Sequence, residues 1–118
     1  MTQQIEDKIC EIFPYVSNIR FEINDGWQWI IVEMLKEIDD AYFSLGRETE
    51  ITIMQCKEKF GFLNLYYGIL MDDDEHLMIS DIVEKYEQLS KHTCEICGAE
   101  GRAINMSGWI SVRCEDCL

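Results

Sequence analysis

Proline, basic residues and long apolar runs are all scarce in this sequence, and each scarcity excludes a class of protein. One proline in 118 residues, with 47% apolar and 28% charged residues, excludes disordered and low-complexity composition. No apolar run reaches the roughly 18–20 residues that a membrane-spanning helix needs. The first residues carry acids where a signal peptide carries bases. We therefore expect a cytoplasmic, globular protein.

Basic residues are outnumbered by acidic ones, 10 against 23, and the net charge is −13. Residues 1–92 hold 19 acids and 8 bases, and residues 93–118 hold 4 and 2. Nucleic acids and anionic membranes would be repelled, because their binding depends on bases that displace counterions. A protein with a basic surface would be attracted. The alternative is that the charge only keeps a small protein in solution.

Catalytic motifs are also missing. The sequence has no glycine-rich phosphate loop, no nucleophile elbow and no His-Glu-x-x-His metal motif. His76 and His92 are interpreted as surface residues, and Cys10 and Cys56 as packed thiols. We therefore expect no catalytic residues and no enzyme activity.

Hydrophobic periodicity predicts three helices and three strands before the last cysteines. Pro14 should end the first helix, Asp25 should cap the long second helix, and Gly46 should end it. The predicted helices are 3–13, 27–45 and 72–91, and the predicted strands are 19–23, 49–57 and 62–67. The polar connector 57–61 predicts an antiparallel hairpin. One face of this hairpin should pack on the long helix, and the last helix or a partner should cover the other.

The predicted fold class is α+β, with a small antiparallel sheet packed with two main helices and followed by a C-terminal zinc ribbon. We expect an acidic α+β domain over residues 1–92, called the main domain below, and a zinc ribbon over residues 93–118. No flexible linker separates the two segments. The ribbon should therefore pack on the main domain.

Four cysteines at the C-terminus form the most specific motif. Cys94 and Cys97 are separated from Cys114 and Cys117 by 16 residues, within the spacing of zinc sites. Two residues between the thiols of each pair allow a tight knuckle, and Gly98 suits the positive φ that follows one. The motif predicts one structural zinc ion held by four sulfurs, with no position open for substrate.

Two other interpretations of these cysteines stay open. Disulfide bonds are disfavoured in a cytoplasmic protein. Iron in a rubredoxin-like site has the same ligands and geometry as zinc, so the spacing alone does not separate the two metals.

Two sets of residues are candidates for contact with a partner. The acidic run, defined as Asp72, Asp73, Asp74 and Glu75, begins the last helix, where acids also complement the helix dipole. Trp109 and Arg113 should lie on one face of the strand that returns to the last cysteines, where they can stack on a partner and supply charge. Trp109 can instead pack the ribbon onto the main domain, which we favour.

Four short motifs in order resemble a family of small uncharacterised bacterial and phage proteins with a C-terminal, four-cysteine, zinc-ribbon-like segment. The motifs are Gly26-Trp27, residues 57–61, residues 94–101 and residues 108–110. Phe62 and Glu100 stand where the family pattern has glycine and proline. The resemblance covers about residues 20–118 and implies a bacterial or phage origin, with a host cytoplasm as the compartment if a phage encodes the chain. It implies no activity.

These observations favour a non-enzymatic, zinc-binding module for protein–protein interaction. A sharper hypothesis is a phage- or prophage-encoded acidic inhibitor that occupies a basic nucleic-acid-binding protein. The alternative is a nucleic-acid-associated zinc-ribbon protein that acts in transcription or replication. Only Arg102 and Arg113 are basic within the ribbon, which disfavours that alternative.

Overall fold

The computed structural model describes residues 1–17, 19–70 and 72–118, and its architecture confirms the α+β fold class. The helices are α1 (Gln3–Ile12), α2 (Gln28–Ser44) and α3 (Asp73–Ser90). The strands are β1 (Phe21–Glu22), β2 (Ile51–Lys59), β3 (Phe62–Ile69), β4 (Arg102–Met106) and β5 (Trp109–Arg113). Within these described residues, no helix is both long enough and apolar enough to cross a bilayer.

The first three strands form a sheet in the order β1-β2-β3. β2 and β3 pair antiparallel, as the hairpin motif predicts, through a turn in which Phe60 and Gly61 both have positive φ. β1 is shorter than predicted and pairs parallel to β2, with Phe21 beside Cys56. The sheet is therefore mixed, because the long second helix lies between β1 and β2 in the chain and returns it to the same end of the sheet.

The structure agrees with the predicted end of helix α2 but not with its predicted N-terminal cap. Its end is confirmed, since Gly46 has φ +69° and the amide of Arg47 donates to the carbonyl of Tyr42, as in a Schellman motif. The predicted cap is wrong. A 3₁₀ turn over Asp25–Trp27 leads into the helix, and the Asp25 carboxylate accepts a hydrogen bond from the backbone amide of Thr2 instead.

Helices α2 and α3 pack against each other and against one face of the sheet, with α1 beside them. The largest buried side chains of this core are fully enclosed: Phe13, Trp27, Ile30, Ile31, Met34, Leu35, Ile38, Tyr42, Leu63 and Ile79. Val112 of β5 joins the same core, so the ribbon contributes to it. The division of the chain at residue 92 stays a prediction.

Strand β3 lies at the edge of the sheet, and α3 protects that edge. The backbone amides of Leu63 and Leu65 point away from β2, and they donate to the Ser90 hydroxyl at 2.8 Å and to a Glu87 carboxylate oxygen at 2.9 Å. An exposed edge amide is otherwise a template for pairing with another chain. Helix α3 therefore stabilises the sheet and blocks strand addition at these two positions. The other face of the hairpin is not covered by α3 and is open to solvent.

Replacing Glu87 with glutamine is expected to stabilise the protein at neutral pH. Burial raises the pKa of Glu87 above its ordinary value of 4.5, although the Leu65 amide opposes the shift. A carboxyl group whose pKa is higher in the folded protein than in the unfolded chain favours the folded state at low pH. This stability is fully present below the pKa of the unfolded chain and is lost as the pH rises through the pKa of the folded protein. Glutamine keeps an oxygen for the Leu65 amide and has no charge to desolvate. Urea unfolding at several values between about pH 4 and pH 7 measures the effect.

The free energy of unfolding gained by E87Q over the unmodified protein should therefore grow as the pH rises and shrink as the pH falls. Asp81→Asn is the matched control, because Asp81 lies on the same helix, is exposed and is not among the groups that shift the pKa of Glu87. A difference between E87Q and the unmodified protein that stays constant from acid to neutral pH would contradict this prediction.

Candidate metal centre

The four C-terminal cysteines come together in space. The sulfurs of Cys94, Cys97, Cys114 and Cys117 all lie within 4.8 Å of one another, and those of Cys97 and Cys114 are 3.5 Å apart. A tetrahedral zinc ion with Zn–S bonds of about 2.3 Å holds its sulfurs about 3.8 Å apart. The four thiols therefore match the size and donor set of a closed tetrahedral metal site.

The first cysteine pair forms a tight knuckle. The amide of Gly98 donates to the carbonyl of Cys94 at 2.9 Å, and the amide of Cys94 donates to the carbonyl of Ala99 at 2.7 Å. Gly98 has φ +83°, so the predicted glycine position is confirmed. Cys94 is buried, whereas Cys97 lies at the surface, so the site sits with one side against the protein and one towards solvent.

The second pair follows β5 and closes with a short 3₁₀ turn over Glu115–Cys117, in which the amide of Cys117 donates to the carbonyl of Cys114. Arg113 braces this turn. Its guanidinium donates to the carbonyl of Cys117 at 3.2 Å and to the Ser111 hydroxyl at 2.9 Å. The antiparallel pair β4–β5 therefore carries the chain from the first knuckle to the second.

The surroundings of Cys94 favour its thiolate. Burial by itself would raise the pKa of Cys94, but hydrogen bonds from backbone groups at Cys97, Cys114 and Ile96 outweigh it and lower the pKa to about 6. Hydrogen bonds with the thiols of Cys114 and Cys97 raise the pKa of Cys117 to about 12. Four adjacent thiols cannot all ionise without a cation. A metal ion that binds here must release protons from the cluster.

The turn before α2 anchors the first knuckle to the main domain. The amide of Gly26 donates to the carbonyl of Glu95 at 2.9 Å, and the indole nitrogen of Trp27 donates to the carbonyl of Thr93 at 2.8 Å. Next along the chain, the indole nitrogen of Trp29 donates to the carbonyl of Gly98 at 3.2 Å. The ribbon therefore packs on the main domain through the backbone of the knuckle itself.

Gly26 permits this contact because it lacks a side chain. A Cβ atom at position 26 would lie 2.4 Å from the carbonyl oxygen of Cys94 and 2.5 Å from the carbonyl carbon of Glu95. Both atoms belong to backbone and cannot rotate away. In the sequence Gly26 is visible only as part of a turn signal, and nothing in its neighbours reveals the close approach.

Glu95 is a buried charged residue that the sequence reasoning missed. Its side chain is only 6% exposed, and it accepts hydrogen bonds from the Asn24 amide at 2.8 Å and from the backbone amide of Val112 at 3.3 Å. Through these two hydrogen bonds, Glu95 connects the first knuckle to the main domain and to β5. Its place between two cysteines does not indicate burial, because its two partners are distant in sequence.

The acidic run lies at the beginning of α3, as predicted. Asp72 is the N-cap and accepts a hydrogen bond from the amide of Glu75 at 2.9 Å, and Glu75 pairs with Arg47 at 3.0 Å. Asp73 and Asp74 are exposed in the first turn. Helix capping by Asp72 and the ion pair of Glu75 therefore account for half of the run, and two carboxylates are left for a partner.

Trp109 does not pack the ribbon onto the main domain, so the favoured interpretation of this residue is wrong. Its side chain is 69% exposed, because Ile110 and Val112 make the contacts of β5 instead. His76 and His92 are exposed. Cys56 is buried and burial raises the pKa of its thiol, whereas Cys10 is half-buried; neither belongs to the cluster.

Comparisons with known proteins identify no relative of this chain. No family model matches the chain, no curated protein matches it, and no solved structure matches it. The cluster of four cysteines is thus the feature of the described residues that indicates a chemical property, the capacity to bind a metal ion.

Proposed function

We propose that the four cysteines hold one structural zinc ion and that the protein acts by binding another protein rather than by catalysis. The observation that supports this proposal is the closed site, with four sulfurs within 4.8 Å. Four thiolates complete the tetrahedral coordination of zinc, so no position is open for a substrate or a reactive water. The same thiolates would accept iron, and zinc is preferred from the spacing of the two cysteine pairs.

The partner we propose has a basic surface. The protein carries a net charge of −13, and Asp73 and Asp74 extend from the first turn of α3 without ion pairs among the described residues. Such a surface raises the rate of encounter with a basic protein at low salt. The sharper form of the proposal is an inhibitor that covers the basic groove of a nucleic-acid-binding protein, encoded by a phage or prophage as the family resemblance implies.

Trp109 supplies a second contact in this proposal. Tryptophan side chains are enriched at the energetic centres of protein interfaces, and this exposed one is the first residue of β5. Arg113 lies two residues beyond Ser111 on the same strand, held by its bonds to Ser111 and Cys117. Its orientation is thus set by the ribbon.

Reversal of two acids tests this proposal. The zinc-loaded protein, D73K/D74K and the control D81K/E84K are used as baits in bacterial lysate at low and high salt, and captured proteins are identified by mass spectrometry. Asp81 and Glu84 lie on the same helix and are exposed, so the control changes the net charge equally. We expect a salt-sensitive partner with a basic surface that D73K/D74K captures at least tenfold less well.

Thermal unfolding must first establish that both double variants fold, since acids in the first turn each stabilise a helix by about 0.3–1 kcal/mol. If the two double variants captured the partner equally well, the acidic run would not be part of the interface. The absence of any specific partner would contradict the protein-interaction proposal itself.

A further inference from the structure

The outward face of the hairpin β2–β3 has a composition unlike the rest of this acidic protein. Residues paired across two strands point to the same side of a sheet, and the pairs that point away from the core are Gln55 with Tyr66, Lys57 with Asn64, and Lys59 with Phe62. We call these six residues, together with Lys91, the lysine face. It combines aromatic rings, amides and ammonium groups, and the exposed carboxylate of Glu22 on β1 lies beside Lys57 on the same side of the sheet.

The three lysines of this face are paired with rings rather than with acids. The Lys57 ammonium lies 5.4 Å from the centre of the Tyr66 ring, and the Lys91 ammonium lies 4.9 Å from that of Phe62. None of the ion pairs among the described residues includes Lys57, Lys59 or Lys91. The Lys91 ammonium lies near the Glu87 carboxylate and opposes the rise of its pKa, so Lys57 and Lys59 are the more available of the three to attract an anion.

The acidic run does not cancel this local charge. Lys91 follows the end of α3, whereas the acidic run begins it, and an 18-residue helix is about 27 Å long. The screening length is about 10 Å at 0.1 M salt. A ligand at the lysine face is therefore shielded from the carboxylates at the far end of the helix. Two carboxylates lie closer along the sheet. Glu22 of β1 is in register with Lys57, and Glu58 lies between Lys57 and Lys59 on β2, on the opposite side of the sheet.

We propose that the lysine face binds single-stranded nucleic acid. Lys57 and Lys59 lie two residues apart on one strand, about 7 Å, and so follow an extended line of phosphates. Phe62 and Tyr66 supply faces on which bases stack, as in sequence-tolerant single-strand binding. An apolar protein segment fits less well, since the amides of Gln55 and Asn64 interrupt the rings and suit base edges instead.

Phe60 extends this row of aromatic side chains at the hairpin turn. It is a bulky residue with φ +55°, a strained conformation, and its ring is 71% exposed. Such strain is concentrated at functional positions. Phe60 and the exposed Trp109 line one groove of about 420 Å³ together with Lys59 and Glu58, and this groove continues the lysine face towards the ribbon.

The test is fluorescence anisotropy with a labelled oligothymidylate of about 15 nucleotides and the zinc-loaded full chain. At about 50 mM salt we expect a dissociation constant on the order of 10⁻⁵ M, and a slope of log affinity against log salt of about −2, for three lysines. K57Q/K59Q should weaken binding at least tenfold. Tyr66→Leu should weaken it about tenfold through the lost stacking surface.

The matched control is K8Q/K36Q, which removes two exposed lysines from α1 and α2 and leaves the same net charge as K57Q/K59Q. An equal loss in both double variants, or no binding by the unmodified protein at low salt, would overturn the proposal. So would equal competition by poly-glutamate, because the face would then be a site for acidic protein. The acidic run takes no part in this test, so the two proposals are judged separately.

Discussion

Replacing Cys94 with serine is expected to abolish stoichiometric zinc binding and to unfold the ribbon. Structural zinc contributes an apparent binding free energy of about 10–16 kcal/mol in small zinc domains, and a site with three thiolates loses most of it. Cys94 is the buried member of the cluster, and its carbonyl also closes the first knuckle. Metal content by mass spectrometry and thermal unfolding by circular dichroism measure the two effects.

The effect should extend beyond the ribbon. Val112 belongs to the main core, and the buried indole nitrogen of Trp27 depends on the carbonyl of Thr93. An unfolded ribbon leaves a cavity at Val112 and a buried donor without a partner, each a known cause of large destabilisation. We therefore expect a lower unfolding temperature for the whole chain, and chelation of the metal should produce the same change in the unmodified protein.

Cys10→Ser is the matched control, because Cys10 is a half-buried thiol outside the cluster. It should keep one equivalent of zinc and an unfolding temperature close to that of the unmodified protein. Full zinc occupancy in C94S would contradict the four-sulfur site. If the unmodified protein contained iron and showed a visible absorption band, the four-sulfur site would stand and its metal would be iron instead of zinc.

Replacing Gly26 with alanine should separate the ribbon from the main domain while all four cysteines remain. The added methyl group meets two backbone atoms of the knuckle at about 2.5 Å or less, so the knuckle or the turn before α2 must shift. We expect the free energy of unfolding to fall by about 3 kcal/mol, at the upper end of overpacking costs. Urea unfolding measures this change, and zinc stoichiometry should stay at one.

Gly68→Ala provides the comparison within the same chain. Gly68 lies in β3 and an added Cβ there has no atom within 4 Å, so the change in stability should stay within about 0.5 kcal/mol. If G26A were as stable as G68A, the close approach of the two backbones would be absent in solution. Loss of zinc in G26A would mean that the main domain is needed to form the site.

The sequence by itself determined the elements that depend on local pattern. The spacing of Cys94, Cys97, Cys114 and Cys117 predicts their cluster because two residues between thiols allow a tight turn that directs both sulfurs to one metal ion. The face of α2 and its end at Gly46 follow from helical periodicity and from the freedom of glycine at positive φ. The hairpin follows from strand alternation on both sides of a short polar connector.

Only the tertiary structure decided which distant residues meet. The parallel position of β1, the close approach at Gly26 and the burial of Glu95 each depend on partners far away in the chain, so no local pattern carries them. The same holds for charge. Composition predicts that the protein repels nucleic acid, but pairing of β2 with β3 collects lysines on one face, while α3, about 27 Å long, separates the acidic run at its start from Lys91 at its end. Net charge is a property of the sequence, and its distribution over the surface is a property of the fold.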